Sequence, residues 1–177
     1  MQVSRAVQEL DEELTKWRNR PLGETPYVLL DARYEKVRVG GSVVSCALLI
    51  AIGITPDGQR TVLGVSVSLS EAEVHWRDML ADIQSRGLHG VRMIVSDDHA
   101  GLRAALDARF TGVPWQRCQF HLAMNMLERL NRELKRRTRV VTLFPNEASL
   151  LRLATAVLME TDEEWQTQKR YLSMKTE

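Results

Sequence analysis

Three carboxylates stand where chemistry would need them. Asp31 closes the apolar run Tyr27-Val-Leu-Leu-Asp31, where a charge is costly unless something compensates it. Asp97 is the first acid of Ser96-Asp97-Asp98, at the end of the apolar run that starts at Val91. Glu128 follows 31 residues later in a stretch of helical periodicity. If these three meet, they repel one another unless divalent cations sit between them. Two Mg2+ ions held in that way can activate a water or a 3′ hydroxyl and stabilise the leaving oxygen of a phosphodiester. Each acid also has an ordinary reading. An acid at a strand end caps a turn or is solvated, Asp98 caps the next helix, and Glu128 pairs with Arg132 at i, i+4.

The stretch around Glu128 carries a second signal. His121, Asn125, Glu128, Arg132, Lys135 or Arg136, and Arg139 recur at three- and four-residue steps, so one polar stripe runs beside the leucines Leu127, Leu130 and Leu134. Arg132, Lys135, Arg136 and Arg139 are therefore candidates for holding phosphates near the carboxylates. The ordinary reading of such a basic run is a solvated helix face. Cys118-x-x-His121 has half the spacing of a zinc site and no partner pair, and a tetrahedral site needs four ligands. The formal net charge of +1 hides this arrangement. From Arg117 to Arg139 there are seven basic and two acidic residues, while the remainder holds 17 basic and 21 acidic ones.

The elements that must position these residues follow from periodicity and turn signals. Val3, Val7, Leu10, Leu14 and Trp17 mark a helix over 3–18. Gly40-Gly41 is a turn between Lys36–Val39 and Val43–Ile54, and Pro56-Asp57-Gly58 is a turn before Arg60–Val67, so three strands form an antiparallel meander. Ser70 with Glu73 reads as a capping box opening a helix that stops at Gly87. A strand over Val91–Ser96, a helix over Gly101–Phe110, a strand over Trp115–Phe120 and a helix over 121–137 come next. Asn146 or Ser149 caps a helix to about Glu160, and Thr161 or Asp162 starts a last one. The order implies an α/β domain with a mixed five-stranded sheet flanked by helices, the order of the ribonuclease-H-like fold. In that sheet the first and fourth strands are neighbours, which would bring Asp31 beside Asp97.

Composition agrees with one folded domain. The chain has 177 residues, 44% hydrophobic and 27% charged, a globular mix rather than a disordered one. Cys46 and Cys118 cannot build a disulfide framework, which suits a reduced, cytoplasmic setting. The N-terminal residues contain acids and lack the apolar stretch of a signal peptide, and the apolar run 47–54 is too short to span a bilayer.

At these residues the sequence resembles the Mutator-type transposases of bacterial insertion sequences. The stretches that carry the resemblance are LLDARYEKVR (29–38), AIGITPDGQRTVLGV (51–65), EAEVHWRDMLADIQSRGLHGV (71–91), IVSDDHAGL (94–102), WQRCQFHL (115–122), NMLERLNRELKRRTRVV (125–141) and FPNEASLLRLATAVLMETDEEW (144–165). The resemblance implies a ribonuclease-H-like core whose Asp-Asp-Glu triad cuts and joins DNA with two Mg2+ ions. Matched by motif, the catalytic and metal-binding residues are Asp31, Asp97 and Glu128, the last in the family's N-x-x-E-R-x-N, with Cys118 and His121 as its C-x-x-H. The implied partners are DNA, as transposon ends and target, and further copies of the chain or a full-length transposase. The implied setting is the bacterial cytoplasm, associated with the nucleoid, with no membrane.

Two departures from the family pattern shape the reading. The family's N-terminal region, which binds terminal repeats, is missing, and so is the helical insertion between C-x-x-H and the Glu segment, since His121 and Glu128 are seven residues apart. The chain thus reads as an N-terminally truncated transposase with the insertion deleted near 122–125. Its expected parts are a helix and loop over 1–26, a catalytic core over 27–140 and a helical segment over 141–177. Two other readings stay open: a non-catalytic DNA-binding or oligomerising remnant, and a stand-alone ribonuclease-H-like nuclease.

Overall fold

The computed structural model describes residues 2–117, 131–137 and 144–167. Helix α1 (Gln2–Arg18) leads into three antiparallel strands, β1 (Tyr27–Val39), β2 (Ser42–Ile54) and β3 (Arg60–Ser68). Helix α2 (Glu73–Ser85), strand β4 (Met93–Ser96), helix α3 (Ala100–Arg109) and strand β5 (Trp115–Arg117) follow. Helix α4 covers 131–137 and α5 covers Glu147–Thr167. The five strands form one sheet in the order β3-β2-β1-β4-β5, with β1 antiparallel to β2 and parallel to β4. This is the mixed sheet that the element order implies.

Turn chemistry sets the meander. Gly40 and Gly41 both have positive φ, 54° and 83°, and Val39 pairs with Ser42 around them. A two-residue loop with both residues left-handed twists in the sense of the strands it joins, and glycine takes it without steric cost. β1 is therefore one continuous strand, running on from the apolar run through the polar residues 33–38 to the turn.

Side-chain alternation divides the sheet into two faces. On one face Val28, Leu30, Ala47, Leu49, Ala51 and Ile94 pack on α2 and α3 through Trp76, Leu80, Ile83, Leu102 and Leu106. On the other, Leu29, Leu48, Ile50, Ile52 and Val62 pack on α4 and α5 through Leu134, Ala154, Val157, Leu158 and Trp165. Burial on both faces explains why β2 reads as an unbroken apolar run from Ala47 to Ile52. Asp162 of α5 reaches the edge strand, where its carboxylate accepts hydrogen bonds from the Val62 N–H (2.7 Å) and from Arg20 Nη2 (3.0 Å).

Three expectations at helix ends need correction. The helix expected to open at Ser70 starts at Glu73, and its N-cap residue, Ala72, receives no side-chain bond. Ser70 Oγ instead accepts from the Ala72 N–H at 3.3 Å in a turn ahead of the helix. Asp98 does not cap α3, whose N-cap residue is His99; it faces Arg117 at 3.6 Å. The two C-terminal helices expected on either side of residue 161 are a single helix, α5. Nothing interrupts the backbone there, because Thr161 Oγ1 donates back to the Val157 carbonyl and Asp162 points into the sheet. Asn146 does cap α5, accepting from the Ser149 N–H at 2.8 Å. Among the described residues no helix is long and apolar enough to cross a membrane.

Candidate active site

The pairing of β1 with β4 places the first two acids. Tyr27, Val28 and Leu29 stand opposite Met93, Ile94 and Val95. Continuing that register by two residues sets Asp31 opposite Asp97, on the same face as Leu29 and Val95. Asp31 on β1 and Asp97 directly after β4 thus stand together at the carboxyl end of β4, where α/β folds place their sites. Asp97 is exposed and Asp31 half-buried. Burial pushes the Asp31 carboxyl above its ordinary value, and the charge of Asp97 adds to the push. Hydrogen bonds from the Asn131 amide and from the Ala32 backbone pull it back.

Asn131, the first described residue of α4, is part of this site; it closes the N-x-x-E-R-x-N stretch, in which the sequence reading gave a role to Glu128 alone. Its Nδ2 donates to Asp31 Oδ2 at 2.8 Å, and its backbone carbonyl accepts from Arg33 Nη1 at 3.0 Å. Arg33 is held in turn by Glu35, at 2.5 Å. Asn131 Oδ1 is buried without a hydrogen-bond partner among the described residues. A signal for it was present. Asn131 lies four residues after Leu127 and three before Leu134, on the apolar stripe, where an amide needs a partner.

Glu71 was also missed. It lies just before α2, is buried, and burial raises its carboxyl above the ordinary value. His99 Nδ1 faces its Oε2 at 3.9 Å and lowers it, whereas the charges of Asp97 and Asp31 raise it. Three carboxylates therefore sense one another at this edge. Glycine allows the approach, because a Cβ on Gly101 of α3 would stand 2.4 Å from the Glu71 carbonyl oxygen. No sequence signal separates Glu71 from an ordinary solvated acid near a helix start.

Other expected site residues fall as follows. Cys118, His121, Glu128 and Arg139 lie outside the described residues. Arg132 and Lys135 are exposed on α4. Arg136 is exposed too, and its guanidinium is engaged by Glu133, which also binds Arg137 at 3.1 Å. Arg137 reaches Glu160 of α5 at 3.0 Å as well.

Strand order and helices on both faces of the mixed sheet define a ribonuclease-H-like domain. A solved structure agrees in fold: a chain of the simian T-cell lymphotropic virus intasome in complex with PP2A regulatory subunit B56 gamma superposes with a TM-score of 0.54 at 11% identity, covering 89% of this chain and 60% of that one. The family follows from sequence. The model of "Transposase, Mutator family" matches residues 1–127 and 123–168, and the chain belongs to that family. It is 42% identical to the transposase for insertion sequence element IS406 of Burkholderia multivorans, over 97% of this chain and 64% of that one. It is 34% identical to the ISRM5 transposase of Rhizobium meliloti, over 97% and 63%, and 32% identical to the IS1081 transposase of Mycobacterium tuberculosis, over 98% and 60%. The chain thus spans about three-fifths of the length of these relatives. The alignments run over 249 to 251 residues although the chain has 177, so the relatives carry internal residues that this chain lacks. The two matches to the family model overlap at 123–127.

Proposed function

We propose that this chain is the DNA strand cleavage and transfer core of an insertion-element transposase, with Asp31, Asp97 and Glu128 as its metal-bearing carboxylates. The observation that carries the reading is Asp31 on β1, two residues past its pairing with β4, with Asp97 directly after β4 and Asn131 of α4 bonded to Asp31. Glu128 is three residues before Asn131, so a helix continued backwards from α4 would bring it to the same face.

The donors suit a hard divalent cation, since they are carboxylate oxygens crowded by like charge. Among the described residues no group of three His, Cys, Asp or Glu side chains could hold a metal ion, so the third ligand in this reading is Glu128. Bound divalent cations would supply the charge that activates a water or a 3′ hydroxyl and stabilises the leaving oxygen. The chain's own part is positional. The Asn131 amide fixes Asp31 Oδ2, and Arg33 braces Asn131 from behind. Arg132 and Lys135 offer cations to the flanking phosphates.

One observation favours the non-catalytic reading instead, namely the missing residues beside Glu128. A helix turns about 100° per residue, so the junction decides where that carboxylate points. A nicking assay separates the readings. Mg2+-dependent nicking of supercoiled DNA, lost in Asp31→Ala, is the expected result. Binding without nicking would assign a remnant, and a preference for RNA–DNA hybrids would assign a stand-alone nuclease.

A further inference from the structure

We propose that the open face of the β1–β2 hairpin, carrying Tyr34, Lys36 and Arg38, holds one strand of DNA. This rests on the reading of the chain as a DNA-cutting core and names where its substrate lies. The far half of the hairpin is a two-stranded arm. β1 pairs with β4 only up to Leu29, and β2 pairs with β3 only from Ala47 onwards. One face of the arm is sealed, with Val37 and Cys46 fully buried against Phe144 and Leu150. The Phe144 backbone also bonds to β1, accepting from the Arg38 N–H at 2.6 Å and donating to the Lys36 carbonyl at 3.2 Å. A lone hairpin is marginal in water, but this one is braced along its back.

The front of the arm is unpartnered. Tyr34, Lys36 and Arg38 alternate along β1 opposite Ala47, Ser45 and Val43. Five of these six are exposed, Tyr34 at 49% and Val43 at 50%. Lys36 and Arg38 make no ion pair among the described residues, unlike Arg136 and Arg137 on α4. Charge complementarity therefore selects a polyanion. Residues two apart on a strand are about 6.6 Å apart, so an aromatic ring and two cations stand in one row. Single-strand sites use that combination, a π face for a base and cations for the phosphates after it. The row continues the Val28 and Leu30 face of β1, opposite to the face of Leu29 and Asp31, so it lies apart from the carboxylates.

The test is fluorescence anisotropy of a labelled oligothymidylate of roughly 20 nucleotides, titrated with the full chain in EDTA across a salt series. Lys36→Ala/Arg38→Ala is expected to weaken binding about tenfold or more and to flatten the log–log salt slope by about 1.4, at about 0.7 per phosphate. Tyr34→Ala is expected to weaken binding about fivefold or more with the slope unchanged, and Tyr34→Phe to restore it. Unchanged melting temperatures would confirm folding. If the wild-type chain binds and the variants match it, the arm is refuted while the proposed function stands. If the variants match in binding but disperse a dimer in sedimentation velocity, the face joins copies of the chain and the inference is overturned. If the wild-type chain binds no DNA, the parent reading fails with it.

Discussion

Replacing Asn131 by alanine tests whether the bond between α4 and β1 organises the candidate site. The amide donates to Asp31 Oδ2 at 2.8 Å, and the carboxylate is half-buried. A hydrogen bond to a charged group contributes about 1.5–3 kcal/mol, and losing the donor leaves the acceptor poorly solvated. Asn131→Ala is therefore expected to cost about 1.5–3 kcal/mol at pH 7 by urea denaturation. The Arg33 bond to the Asn131 backbone carbonyl survives the change, so the loss belongs to the amide. The sign with pH follows. The bond favours the ionised carboxyl, and burial already holds that carboxyl above its ordinary value. Removing the amide raises it further, so the penalty is present where Asp31 is ionised in the wild type and fades as pH falls through its folded-state titration. The acid limb of any nicking activity should move to higher pH. A double-mutant cycle with Asp31→Ala isolates the pair. Asn131→Ala should cost much less in the Asp31→Ala background, and a coupling below about 0.5 kcal/mol, or a penalty independent of pH, would refute the reasoning.

Three further outcomes are expected. Gly101→Ala should destabilise the chain by about 1–3 kcal/mol in denaturant titrations, because its Cβ would meet the Glu71 carbonyl oxygen at 2.4 Å and the Glu73 nitrogen at 2.9 Å; an unchanged midpoint would mean that this contact relaxes. Asp162→Ala strands the Val62 N–H and takes the carboxylate from Arg20, which keeps the Trp17 and Val62 carbonyls, and should cost about 1–3 kcal/mol. Burial holds the Asp162 carboxyl above its ordinary value, so that cost should be largest in acid and shrink as pH rises through its folded-state titration. Glu133→Gln releases Arg136 and Arg137 from their shared partner; if α4 contacts phosphates, DNA affinity and its salt slope should rise with the melting temperature unchanged.

The sheet was legible because glycines and alternation announce it. Gly40-Gly41, Gly58 and Gly87 all take positive φ where the turns were expected. Asp31 and Asp97 were legible because a charge that ends an apolar run is conspicuous. Asn131 was obscured by Glu128, whose charge drew attention to the polar stripe while the amide sat on the leucine stripe. Glu71 had no local mark at all, since its burial comes from α3 packing over it through Gly101. The helix ends were misread because Ser70 and Asp98 have the chemistry of caps, while tertiary contacts directed Ser70 into a turn and Asp98 toward Arg117.

The bond from Asn131 to Asp31 joins residues 100 apart in the chain. Contacts at such separation close late, after the local and shorter-range pairings that define the sheet. During synthesis β1 and its carboxylate emerge first, Asp97 follows, and the amide arrives only with α4. A nascent or broken chain that stops before residue 131 can hold two aspartates side by side but has no amide to hold Asp31 in place. Competence at this edge is thus tied to completion of the fold, and in hydrogen exchange the amides beside Asp31 should gain their protection together with those of α4.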